Sequence, residues 1–73
     1  MPECIILSKN LKTIRKKMDK NQENFAAECG LSTETISLIE REGTDPKLST
    51  LQKIASYLGC TITELLTDNE QEN

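Results

Sequence analysis

An all-α fold is what this sequence predicts: five short helices closed into one compact, bundle-like domain. Two patterns point to it. Apolar residues recur at spacings of three and four, as in Leu7, Leu11, Ile14 and Met18, and nowhere alternate as a half-buried strand requires. Residues that open and close helices stand at regular breaks: Asn21, Ser32 and Thr61 as N-caps, Gly30 and Gly59 as stops.

Each helix has its own justification. The first carries the stripe Leu7, Leu11, Ile14 and Met18, with Lys9, Lys12, Lys16 and Lys20 on the opposite, solvated face. The second opens after Asn21, buries Phe25, Ala26 and Cys29, and ends where Gly30 can take a positive φ. Ser32 caps the third, which turns Ile36 and Ile39 inward. Residues 42–47 hold Gly43 and Pro46 and read as a loop. Leu51, Ile54, Ala55 and Leu58 form the fourth stripe, stopped by Gly59. Thr61 and Glu64 have the T-x-x-E capping-box spacing that opens a short fifth helix with Leu65 and Leu66. The expected layout is a short arm over 1–6, a folded domain over 7–67 and an acidic tail over 68–73 without fixed structure. The expected core is Leu11, Ile14, Met18, Phe25, Ala26, Cys29, Leu31, Ile36, Ile39, Leu51, Ile54, Ala55, Leu58 and Leu65, with Phe25 between the first and third helices.

Composition narrows the function. Of 73 residues only 36% are hydrophobic and two, Phe25 and Tyr57, are aromatic, so the core is small and depends on well-placed aliphatic contacts or a partner chain. No apolar run approaches membrane-spanning length, and the first seven residues carry an acid and no base, unlike a signal peptide; a cytoplasmic protein is expected. Three widely spaced cysteines, Cys4, Cys29 and Cys60, without any histidine do not make a zinc site; Cys29 and Cys60 read as buried thiols. No cofactor is expected. The lack of His, of a Gly-rich phosphate loop and of an evident carboxylate pair speaks against an enzyme. A net charge of −3 speaks against nucleic acid at first sight. Its distribution matters more: six of the nine basic residues lie between Lys9 and Lys20, and the three acids of the tail account for the whole excess.

The informative stretch is QENFAAECGLSTETISLIER, residues 22–41. Two short helices meet at a tight turn made by Gly30; Ala26 is small where they approach, and Ile36 and Ile39 lock the second onto the first. This is a helix-turn-helix, which holds its second helix out where it can enter a major groove. Gln22, Ala26, Gly30, Leu31, Ser32, Ile36, Ile39 and Glu40, with Pro46, Leu51, Ile54, Ala55, Leu58, Gly59, Leu65 and Leu66 downstream, resemble the Cro/phage-repressor-type family, also called the Xre family. The resemblance spans Leu7 to Leu66.

With Ile36 and Ile39 inward, 100° per residue turns Glu34, Ser37, Leu38 and Arg41 outward, with Thr33 at the exposed end. The resemblance implies base-edge contacts at Thr33, Glu34 and Leu38. It implies phosphate contacts at Asn21, Gln22, Thr35, Ser37, Arg41 and, after the loop, Lys47. Capping is the expected main role of Asn21 and Ser32. It further implies a partly buried ion pair between Arg15 and Glu40, structural in role. The chain departs from the family in lacking a basic residue on the recognition helix before Arg41, in carrying Glu34 on the reading face, and in an acidic loop whose glycine sits one place late. The expected function is sequence-specific binding of double-stranded DNA as a transcriptional regulator, a repressor acting as a homodimer. Tyr57, Ile62 and Leu66 are the surplus apolar groups for a dimer contact, unless they close a monomer's core. The alternative is a protein-interaction module of the same fold, for which the acidic face speaks.

Overall fold

The computed structural model describes residues 3–42 and 45–67. Expectations about Gly43, the tail 68–73 and the Cys4 side chain lie outside the described residues. Five helices follow one another: α1 (Glu3–Lys17), α2 (Gln22–Cys29), α3 (Thr33–Glu42), α4 (Leu48–Leu58) and α5 (Ile62–Leu65). α1 packs on α3 and α5, α2 on α3 and α4, and α4 on α5.

α1 starts at Glu3, inside the stretch expected to be an arm. Leu7 therefore sits a full turn into the helix and is completely buried, a core residue absent from the expected core. Met18 is a correction in the other direction. α1 stops at Lys17; the Met18 N–H closes the last turn on the Ile14 carbonyl at 3.0 Å, and Asp19 swings to φ 57°. The chain leaves the helix just where the stripe would have returned to the core, and Met18 is 37% exposed.

The caps act where the sequence places them. Asn21 Oδ1 accepts the Asn24 N–H at 2.7 Å, and Ser32 Oγ accepts that of Thr35 at 3.1 Å. Gly30, at φ 80°, lets the Leu31 N–H return to the Ala26 carbonyl at 2.8 Å; Gly59, at φ 72°, does the same for Cys60 and Ala55 at 3.0 Å. Thr61 and Glu64 form the reciprocal box, with bonds of 2.8 and 3.0 Å.

Leu7, Leu11, Phe25, Ala26, Cys29, Ile36, Ile39, Ile54, Ala55 and Leu65 are the buried core. Ile14, Leu31, Leu51 and Leu58 are half-buried against it. Phe25 is fully buried, and its ring meets that of Tyr57 on α4 edge-on, 5.6 Å between centroids at 85°. Tyr57 is thus engaged by α2 and is no surplus apolar group of the C-terminal end. Burial pushes the Cys29 thiol up to about 11, so it stays protonated and behaves as a small apolar group. Cys60 is half-buried, and its thiol is also raised by burial.

Among the described residues, two of the buried ones are polar or charged, Asn10 and Glu40. Asn10 Nδ2 donates to the carbonyls of Leu65 and Thr67, each at 2.8 Å. The Leu65 carbonyl ends α5, and the Thr67 carbonyl lies two residues beyond it. Asn10 lies one turn beyond Leu7 on the inward stripe, and it ties α5 to α1 across 55 residues of sequence.

Candidate nucleic-acid interface

α3 has one face committed to the protein and one to solvent. Ile36, Ile39 and Glu40 are buried; Thr33, Glu34 and Arg41 are exposed; Thr35, Ser37 and Leu38 are half-buried between them. At ten residues α3 is about 15 Å long, comparable with the 12 Å width of a major groove. Ala26, 1% exposed, and the turn at Gly30 let α2 lie close beneath it.

The base of α3 is held by a network centred on Glu40. Arg15 grips its carboxylate with two parallel bonds, Nε to Oε2 at 2.7 Å and Nη2 to Oε1 at 3.0 Å, and spends Nη1 on the Lys20 carbonyl at 2.8 Å. The side chains are 13% and 2% exposed. The hydrogen bond to Glu40 raises the Arg15 pKa further above its ordinary value, outweighing the opposing effect of burial. Ser8 Oγ donates to the Glu40 carbonyl at 2.7 Å, and Gln22 Nε2 donates to Oε1 at 3.0 Å. Glu40 therefore receives bonds from both α1 and α2. The ion pair follows from the family resemblance; the Ser8 and Gln22 bonds have no sequence signal beyond a polar residue on the right helix.

The candidate contact residues fall into three places. Asn21 and Gln22 stand at the start of α2, and the bond to Glu40 brings Gln22 beside the C-terminal half of α3, next in chain to Arg41. Thr33, Glu34 and Thr35 form the opposite end of α3. The Thr35 hydroxyl lies 2.8 Å from that of Ser32, so it belongs to the cap. Lys47 is exposed as the N-cap residue of α4 and makes no side-chain capping bond.

Away from this face, Glu28 on α2 accepts from Lys20 Nζ at 2.9 Å and from the Tyr57 hydroxyl. Lys20 lies three residues beyond the end of α1, so it is not on that helix's solvated face as the sequence suggested, and it is tied to α2 instead. The Tyr57 bond, followed by that of Lys20, holds the Glu28 carboxyl below its ordinary range, and the same bond pushes Tyr57 up to about 12. The folded state then holds the phenolic proton more tightly than the unfolded one. The stabilisation is complete below pH ~10 and is lost as pH rises toward 12. Tyr57 is the sole tyrosine, so its ultraviolet titration is unambiguous. We expect a midpoint near 12 in the native protein, falling toward ~10 in Glu28→Gln. A native midpoint already at ~10 would remove the hydrogen bond.

Among the described residues, no helix is long and apolar enough to cross a membrane. Residues 11–65 match the helix-turn-helix family model. The chain is 43% identical over 63 residues to the control protein C.MunI of a Mycoplasma species, covering 85% of each chain. It is 34% identical over 65 residues to the cryptic phage CTXphi transcriptional repressor RstR of Vibrio cholerae, covering 89% of this chain and 59% of that one. The crystal structure of the hypothetical transcription factor NHTF from Neisseria superposes with a TM-score of 0.84 at 28% identity, over 97% of this chain and 82% of that one. Helix order, the capped turn at Gly30, the matched span and these regulators agree: the chain belongs to the Xre/Cro-like helix-turn-helix family.

Proposed function

We propose that this protein is a sequence-specific double-stranded-DNA-binding regulator, a repressor that acts as a homodimer on a two-fold operator. The observation that carries the reading is the two-sided α3. Its buried side is fastened to α1 and α2 through Ile36, Ile39 and Glu40, and its other side presents Thr33, Glu34 and Arg41. In this reading Thr33, Glu34 and Leu38 meet base edges, and Asn21, Gln22, Thr35, Ser37, Arg41 and Lys47 lie along phosphates. Asn21 and Thr35 do so from within their caps. One small module makes too few contacts for tight specific binding, and two half-sites supply the rest. Ile62 and Leu66 pack against the core at the C-terminal end of the domain and stay half-buried, and their remaining surface is the proposed dimer contact. That contact leaves both α3 helices free for half-sites roughly 34 Å apart. Sedimentation at high micromolar concentration, alone and with duplex, checks it; a monomer under both conditions excludes the arrangement.

Glu34 separates this reading from the protein-interaction module, which its negative charge favours. As a base reader, its carboxylate accepts from cytosine N4. Glu34→Gln then shifts preference at one base pair toward adenine, with a penalty of about 1–3 kcal/mol for the wrong base. Site selection from a random pool, with wild type and variant, is the test. If the variant gains affinity equally for every sequence, Glu34 is only a repulsive charge. If neither enriches a site, the interaction module is the better reading.

A further inference from the structure

We infer that Glu40 is a positioning residue for DNA binding, acting through Gln22: the carboxylate that closes the ion pair with Arg15 also presets the Gln22 amide for a backbone phosphate. The inference rests on the reading of the domain as a DNA binder and goes beyond it in giving the structural ion pair a part in recognition. A glutamine amide has two N–H bonds. One is committed to Glu40 Oε1 at 3.0 Å, which leaves the other for an incoming acceptor. The anchor cannot swing: Glu40 is 2% exposed in its side chain, its carboxylate takes two bonds from Arg15, and its carbonyl takes the Ser8 hydroxyl. A long side chain free in solution loses rotamer freedom when a ligand immobilises it; one already held loses little more.

The surroundings fit a phosphate. Gln22 is the first residue of α2, and the Asn21 side chain takes the N–H of Asn24, leaving the first-turn N–H groups of Gln22 and Glu23 without a carbonyl inside the helix. A carboxylate this close to an approaching phosphate would repel it if unpaired. The bidentate guanidinium of Arg15 offsets that charge, so the Gln22–Glu40 bond is compatible with an anion only while Arg15 is in place. The arrangement also links the two halves of recognition. The group that orients the phosphate contact is part of α3 itself, so the backbone contact and the base-reading helix share one anchor.

The test is a double-substitution cycle on binding to the duplex enriched by site selection, using wild type, Gln22→Ala, Glu40→Gln and the pair, at a temperature where circular dichroism shows each folded. Each single substitution weakens binding about 3- to 10-fold, and the pair binds no more weakly than Gln22→Ala alone. If Glu40→Gln costs the same factor with Gln or with Ala at position 22, Glu40 only supports the fold, and the inference is overturned. Nuclear magnetic resonance of free wild type provides a check without any variant. One Gln22 side-chain amide proton, the one bonded to Glu40, should be shifted downfield and slow to exchange relative to those of exposed Gln52. Gln22 signals indistinguishable from those of Gln52 also overturn it. A wild type that binds no duplex removes the underlying reading and this inference together, whereas binding with an additive cycle removes the inference alone.

Discussion

Arg15→Ala is expected to destabilise the domain by about 3–5 kcal/mol, because it strands a buried carboxylate. Glu40 is 2% exposed in its side chain and would lose both guanidinium bonds while keeping the bond from the neutral Gln22 amide. The Lys20 carbonyl loses its guanidinium donor in the same step. A domain of this size is stable by only ~4–11 kcal/mol, so the loss takes a large share of the total. Each kcal/mol lowers the melting temperature by about 4–8 °C in a domain this small. The cause is separable from simple loss of packing. Replacing both partners by apolar residues, Arg15→Met with Glu40→Leu, leaves no stranded charge and should recover much of the loss. Thermal denaturation of the single and double variants checks this. Unchanged stability in Arg15→Ala would mean that solvent reaches the pair more freely than its burial indicates.

Phe25→Ala is expected to cost a similar ~3–5 kcal/mol, for a different reason. Among the described residues, Phe25 is the largest fully buried side chain, in a core of ten buried hydrophobic residues with no second aromatic among them. Removing its ring leaves a cavity and also frees Tyr57, whose ring it meets edge-on. The damage therefore spreads from α2 to α4. Denaturant unfolding followed by circular dichroism should show a lowered midpoint or no cooperative transition. Tyrosine fluorescence in the same titration should change at low denaturant, as the α2–α4 contact loosens first. A cooperative variant with near-native stability would place Phe25 outside the packing centre.

What could be read from the sequence was local in origin. Asn21, Ser32 and Thr61 cap helices because a short polar side chain reaches backbone N–H groups two or three residues on, whatever the rest of the chain does. Gly30 and Gly59 end helices because they enter the left-handed region without a Cβ penalty. The inward positions of Ile36, Ile39, Ile54 and Leu65 follow from helical periodicity, and the helix-turn-helix follows from those signals in series. Of the set that the 100° step turns outward on α3, Glu34 and Arg41 are exposed, whereas Ser37 and Leu38 are half-buried by the neighbouring elements.

Only tertiary structure decided the matters that depend on where a helix stops and what crosses between helices. Met18 has the right spacing for the core, but α1 ends one residue before it, and a wheel drawn past a helix end has no meaning. Leu7 escapes the expected core for the same reason at the other end, since the early start at Glu3 makes it an interior position. Asn10 has no role in the sequence pattern, and only the fold brings the carbonyls of Leu65 and Thr67 to its amide. Tyr57 looks surplus until Phe25 and Glu28 meet it. Gln22 reads as a phosphate contact by resemblance alone, and only the fold brings Glu40 within 3.0 Å of it. Caps and periodicities span one or two turns of backbone and are written in neighbouring residues. The bonds at Asn10, Gln22 and Tyr57 join residues 55, 18 and 29 positions apart, so their partners become identifiable only once helix packing has brought them together.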